Sequence, residues 1–232
     1  MKPRRLPSQG GFEAIFFDLD GTLVDTAPDM VAVLSRMQIH RRQEPLPYDL
    51  ARNNVSNGAI GLLRLAFPQA DGTELKALHA EYLENYSLAL CVESDLFPPL
   101  RDLLNALNLS KVPWGIVTNK PERMTDPLVE KLGIVDDAAC VISGDTLAER
   151  KPHPAPLLHA AELTGVEPGK AIYIGDASRD IEAGRAAGMA TVAVGYGYIT
   201  EDDDPNNWGA DEMAADTMAL GQLLLKAVDV KT

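Results

Sequence analysis

Five short apolar runs punctuate the chain: "AIFF" at 14–17, "PWGIVT" at 113–118, "CVIS" at 140–143, "AIYIG" at 171–175 and "ATVAVG" at 190–195. None alternates apolar with polar positions. Runs of this kind suit strands covered on both faces, which is the setting of a parallel sheet. Between the later runs lie segments of helical period: "DPLVEKLGI", "APLLHAAELTGV" and "DIEAGRAAGM", with Gly133, Gly165 and Gly188 as stops. Strand and helix in repeated alternation through the second half predict an α/β fold with a doubly wound parallel sheet.

Residues from about 26 to 92 break that rhythm. "APDMVAVLSRMQIH", "NGAIGLLRLAF" and "ELKALHAEYLENYSLAL" all read as helices, and no convincing strand lies between them. Thr26 with Asp29 three positions on reads as a capping pair, and Pro28 suits a first helical turn. Asp25 reads as a helix-capping residue. The organisation predicted is a flexible leader at 1–11, an α/β core from 12–25 and 93–232, and an all-helical cap at 26–92 inserted after the first strand. Ligands of open α/β sheets bind outside the carboxyl ends of the strands, so a cap there covers the site.

Charge narrows the partners. With 21 basic and 34 acidic residues in 232, the net charge is −13, which argues against nucleic acid. An anionic substrate would then need local positive charge or a metal. No apolar run approaches the length of a membrane span, and "MKPRRLPSQGGF" lacks the apolar segment of a signal peptide, so no membrane partner is expected. Cys91 and Cys140 sit in apolar surroundings without zinc-like spacing. They read as buried free thiols and fit a reducing cytoplasm. The acidic "EDDD" at 201–204 reads as a solvated loop, and Trp208 as a packing anchor or part of a substrate rim.

The first apolar run closes on Asp18 and Asp20, with only Leu19 between them. If 14–20 is extended, the two carboxylates point to the same side. They repel unless a divalent cation, a shared proton or a nearby lysine resolves them. A turn aspartate before Gly21 explains one of them but not both. Other runs end in the same manner. Asp176 follows 171–175, with Asp180 four positions later; Thr118 and Asn119 close 113–118; Lys151 stands before Pro152 in a stiff turn. In a parallel sheet these ends share one edge. Carboxylates with one hydroxyl and one lysine suit magnesium, which prefers oxygen ligands, and phosphoryl transfer, which depends on positioning and charge neutralisation.

"DLDGTLVDT", "VTNK", "RKPHPAP" and "GDASRD" resemble, in order, the four motifs of the haloacid dehalogenase superfamily. The resemblance implies a Rossmann-like core, Mg2+ as cofactor and an aspartyl-phosphate intermediate. It implies that Asp18 is the nucleophile and that Asp20 is the acid and then the base, with its backbone carbonyl on the metal. Asp176 becomes the metal's side-chain ligand, with Asp18 also on the metal, and Asp180 orients the metal site or Lys151. Thr118 and the Asn119 amide hold phosphate oxygens, and Lys151 offsets charge between nucleophile and phosphate. Gly21 and Thr22 turn the chain away from the site. An aspartate at position 20 fits phosphate-ester chemistry rather than carbon–halogen or phosphonate cleavage. A phosphosugar mutase keeps both aspartates and stays open, as does a non-catalytic binding protein on the same fold.

In "NNVSNGAIGLL" at 53–63, the resemblance implies a segment that lines substrate, with Asn57 and Gly58 in a turn facing the site and Ser56 donating a hydrogen bond. Arg64 is expected to meet a substrate carboxylate. "YGYI", "PNNWGAD" and "VTNKP" resemble the phosphoglycolate phosphatase-like subgroup and, within it, the bacterial N-acetylmuramic acid 6-phosphate phosphatases of cell-wall recycling. The resemblance implies a small phosphorylated metabolite as partner, that sugar phosphate first and phosphoglycolate second. The expected assembly is a monomer or a homodimer.

Overall fold

The computed structural model describes residues 11–228, so all but the last residue of the expected leader lies outside the described residues. The apolar runs become the strands β1 (Ala14–Phe17), β4 (Trp114–Val117), β5 (Cys140–Ile142), β6 (Ala171–Gly175) and β7 (Ala190–Val194). A sixth strand, β8 (Glu212–Ala214), joins at one edge, giving the order β5-β4-β1-β6-β7-β8 with every pairing parallel. Side chains of β1 alternate between two apolar clusters. Ile15 and Phe17 pack with α5 (Leu100–Leu109), α6 (Glu122–Lys131) and α9 (Thr217–Ala227); Ala14 and Phe16 pack with α7 (Ala155–Thr164) and α8 (Ser178–Ala187). Both faces are therefore covered, which is why the runs are apolar throughout.

The glycine stops behave as expected. Gly133, Gly165 and Gly188 take φ of 66°, 68° and 80° just beyond α6, α7 and α8. Helix α5 carries the clearest helical pattern in the chain, with Leu100, Leu103, Leu104 and Leu107 buried.

Residues 27–88 form α1 (Ala27–His40), α2 (Tyr48–Arg52), α3 (Gly58–Ala66) and α4 (Gly72–Leu88). These helices gather around a separate apolar cluster that includes Leu34, Leu62, Leu63, Tyr82 and Tyr86, joined by Met124 of α6 and by Tyr198. Where the chain enters and leaves this segment, β2 (Val24–Asp25) pairs antiparallel with β3 (Asp95–Leu96). Two-residue strands leave no periodic signal, so this ribbon was not legible in the sequence.

Three local expectations are corrected. Thr26 and Asp29 form no capping pair: the Thr26 hydroxyl donates to Asp20 Oδ1 at 2.6 Å, and the cap position has no side-chain bond. Asp29 instead accepts from the backbone N–H groups of Val92, Glu93 and Ser94 and from the Ser94 hydroxyl, fastening the far end of the helical segment. Asp25 does not cap α1; its Oδ1 accepts from the Tyr198 hydroxyl at 2.7 Å, and the Tyr198 hydroxyl oxygen accepts in turn from the backbone N–H groups of Thr26 and Ala27. Cys140 is buried and Cys91 half-buried, and both are free.

Candidate active site

The strand β1 stops at Phe17, not at residue 20. The Leu19 carbonyl accepts from Thr22, Leu23 and Val24, so the chain turns directly after Asp18. Strand alternation therefore does not set the two carboxylates side by side. Both still line one cavity, and each has its own partners.

Asp18 is buried, and its Oδ1 lies 2.8 Å from Lys151 Nζ. The same ammonium is 2.8 Å from Asp180 Oδ1 and donates to the Tyr173 hydroxyl at 2.7 Å. Asn119 fixes the lysine by its backbone: the side-chain amide donates to the Lys151 carbonyl at 2.9 Å, and its oxygen accepts from the Lys151 N–H at 3.1 Å. The Asn119 side chain is thus a clamp on Lys151. Thr118 is buried at the end of β4, with its hydroxyl oxygen accepting from Lys120 N–H at 3.1 Å, and it lines the cavity.

Asp176, directly after β6, accepts at Oδ2 from the Ser56 hydroxyl at 2.6 Å and from Tyr198 N–H at 2.8 Å. Its Oδ1 is buried and has no hydrogen-bond partner. Carboxylate oxygens of Asp18, Asp176 and Asp180 lie within 4.8 Å of one another, all buried. Burial foremost raises Asp18 from the usual 3.8 to about 6, with Lys151 opposing it. Burial, then the neighbouring Asp18 and Asp180, raises Asp176 from 3.8 to about 7. Crowded anions around an unpartnered oxygen are the donor set of a hard divalent cation, so the residues fit magnesium. Asp180 both meets Lys151 and accepts the Ala177 N–H through Oδ2 at 3.1 Å, so it starts α8 and orients the lysine together.

Glycines permit this crowding. Gly21, at φ 82°, would drive a Cβ into Asp176 Oδ2 and the Tyr198 ring. A Cβ at Gly197 would likewise meet the Asp176 side chain and the Gly21 carbonyl.

Asp20 stands apart from the three-carboxylate cluster. Its Oδ1 accepts from Thr26 and, at 2.9 Å, from Lys120 Nζ. Lys120 was missed in the sequence although it closes the "VTNK" segment, because a lysine after a strand ordinarily reaches solvent. Arg179, also missed, donates to the Ser56 carbonyl at 2.7 Å and feels the charges of Asp180, Asp18 and Asp176. The inward pair Tyr82 and Tyr86 on α4 follows the i, i+4 pattern and was readable as such.

From the helical segment, Ser56, Asn57 and Gly58 line the cavity together with His79, Tyr82 and Tyr86. The Ser56 hydroxyl is already spent on Asp176 rather than presented as a free donor. Arg64 does not reach the cavity. Helix α3 turns Leu62, Leu63 and Ala66 inward, which leaves Arg64 exposed on another face. Trp208 also lies outside the lining; its indole N–H donates to Asp203 at 2.7 Å, beside the exposed acidic loop 201–204.

The model of the haloacid dehalogenase-like hydrolases matches residues 12–188, a span that takes in every strand-end group named above. The chain belongs to this family. A protein from Pseudomonas putida named N-acetylmuramic acid 6-phosphate phosphatase is 40% identical over 218 residues, 93% of this chain and 97% of its own. A phosphoglycolate phosphatase from Xanthomonas campestris is 44% identical over 198 residues, 85% of this chain and 90% of its own. Among solved structures, one titled a predicted phosphoglycolate phosphatase from Haemophilus somnus superposes with a TM-score of 0.82 at 28% identity, covering 92% of this chain and 98% of that one.

Proposed function

We propose that this chain is a cytoplasmic, magnesium-dependent phosphatase that hydrolyses a small phosphorylated metabolite through an aspartyl phosphate. The observation that carries the reading is the separation of two carboxylates on one cavity: Asp18 within the buried three-carboxylate cluster and Asp20 outside it on Lys120. Asp18 attacks phosphorus as the bond to the alcohol oxygen breaks. The departing oxygen keeps the electron pair and takes a proton from the Asp20 carboxyl group. Asp20, now a carboxylate, then takes a proton from water. The water oxygen attacks phosphorus, the bond to Asp18 breaks, and Asp18 returns as a carboxylate with inorganic phosphate released. Lys151 holds the nucleophile and, with Thr118, faces the transferred phosphoryl group. Magnesium would be held by Asp18, Asp176 and the Asp20 carbonyl, and would neutralise charge on the phosphoryl oxygens. Residues 26–92 act as a cap over the sheet edge.

The favoured substrate is N-acetylmuramic acid 6-phosphate. Support comes from the Pseudomonas relative, and a cavity of about 620 Å³ has room for a substituted sugar phosphate. Phosphoglycolate is the second reading, favoured by the Xanthomonas relative. Phosphate release from the two compounds with magnesium, measured side by side, tests the choice. A preference of about tenfold or more for the sugar is expected, and the reverse preference overturns the assignment. No release from either compound or from a broad panel of metabolite phosphates overturns the phosphatase reading itself.

A further inference from the structure

Lys120 is only 8% exposed, and its ammonium bridges two layers of the molecule. It lies 2.9 Å from Asp20 Oδ1 at the sheet edge and donates to the Tyr86 hydroxyl of α4 at 3.0 Å, with the Tyr86 ring centroid 4.7 Å away. Its main chain is pinned as well. The N–H donates to Thr118 at 3.1 Å, and the carbonyl accepts from Gly144 N–H at 2.8 Å and from the Thr125 hydroxyl at 3.2 Å. A buried cation fixed at both ends orients what it touches.

We infer that Lys120 is a positioning residue for Asp20, anchored by Tyr86. The inference rests on the acid–base role proposed for Asp20. Lys120 and Thr26 both hold Oδ1, which assigns the proton transfers to Oδ2. In the first step the bond from Oδ2 to its proton breaks as the proton joins the departing alkoxide; in the second, Oδ2 takes the proton from water. Because Tyr86 belongs to the helical segment, the aim of Asp20 depends on that segment packing onto the sheet edge.

The test compares kcat/KM for an alkyl phosphate and for p-nitrophenyl phosphate in Lys120→Met, Tyr86→Phe and wild type. An alkoxide needs a proton to leave, whereas p-nitrophenolate departs without one. The alkyl-to-aryl ratio is expected to fall by about tenfold or more in Lys120→Met and by a smaller factor in Tyr86→Phe. The ratio is taken within one preparation, so partial misfolding cancels. A ratio unchanged in Lys120→Met, whatever the overall rate, overturns the inference. Asp20→Asn serves as control and should lower the ratio by about a hundredfold. If Asp20→Asn leaves the ratio intact, the acid–base reading falls; if Asp20→Asn lowers it and Lys120→Met does not, only the positioning role falls.

Discussion

The sheet edge and the helical segment line the same cavity, but they place their residues by different rules. At the edge, Asp18, Thr118 and Asp176 each follow the last residue of a strand, and parallel pairing aligns the three strand ends. Their convergence is a consequence of topology. In the helical segment, position depends on which face packs into the second apolar cluster. One residue turns a helix by about 100°, so Leu63 is buried while Arg64 faces away. The edge therefore gathers the strand-end groups by topology, while the helices add a surface that meets them through the Ser56 hydroxyl on Asp176 and the Tyr86 hydroxyl on Lys120.

The sharpest way to break this comparison is to exchange one residue in each region. Asp18→Asn keeps shape but removes the carboxylate proposed as nucleophile, and phosphate release should fall by more than about a thousandfold. Asn57→Ala, on the helical side of the cavity, should change turnover on a generic aryl phosphate by less than about fivefold. A large loss in Asn57→Ala with an intact Asp18→Asn would reverse the assignment of the two regions.

Gly21→Ala probes how tightly the edge is built. The new methyl group must enter the space of Asp176 Oδ2 at a φ of 82°, which resists any side chain. Backbone strain and overpacking together should cost about 3 kcal/mol in urea denaturation. Gly58→Ala is the helical counterpart: φ 69° with ψ −175° strains any side chain, yet no atom lies within 4 Å of the added carbon, so strain without overpacking, about 2 kcal/mol, is expected.

A third measurement uses pH. Asp18 and Asp176 take pKa values of about 6 and about 7 in the folded protein against 3.8 when unfolded. The folded state holds these protons more tightly, so the contribution to stability is fully present below about pH 4 and is lost as pH rises through 6 to 7. With metal chelated, the melting temperature should fall between pH 5 and pH 8. Added magnesium should restore more at pH 8 than at pH 5, because its ligands must be deprotonated. Asp176→Asn should flatten both responses; a metal-free melting temperature that rises across this range contradicts the buried cluster.

The legibility of the sequence follows the same division. Apolar runs gave five strands of the main sheet because burial on both faces leaves an unbroken signature, and the strand-end carboxylates were readable for the same reason. The edge strand β8, with Glu212 and Met213 less buried, lacks that signature. Lys151 was expected at the nucleophile and meets both Asp18 and Asp180, but the contacts reaching in from the helical segment were not readable. Ser56 and Asp176 are 120 residues apart, and Lys120 and Tyr86 are 34 apart. Nothing local marks such contacts, which come from packing between layers. Asp29 shows the cost of reading locally: its spacing from Thr26 fits a helix cap, but the stronger site is the turn at 92–94.

The smallest effect separates two arginines. Arg64 was the sequence candidate for a substrate carboxylate, but it is exposed on α3 outside the cavity. Among the cations that line it, Lys120 and Lys151 already meet carboxylates and Arg179 donates to Ser56. Arg150, next to Lys151 and exposed, is the cation best placed to read a distal anion. Arg150→Gln should raise KM about fivefold for a sugar phosphate bearing a carboxylate and leave its carboxylate-free analogue within about twofold. Arg64→Gln should leave both within about twofold. If Arg64→Gln alone raises KM for the acidic sugar, α3 presents its outer face to substrate, and the helical segment contributes charge as well as shape to selection.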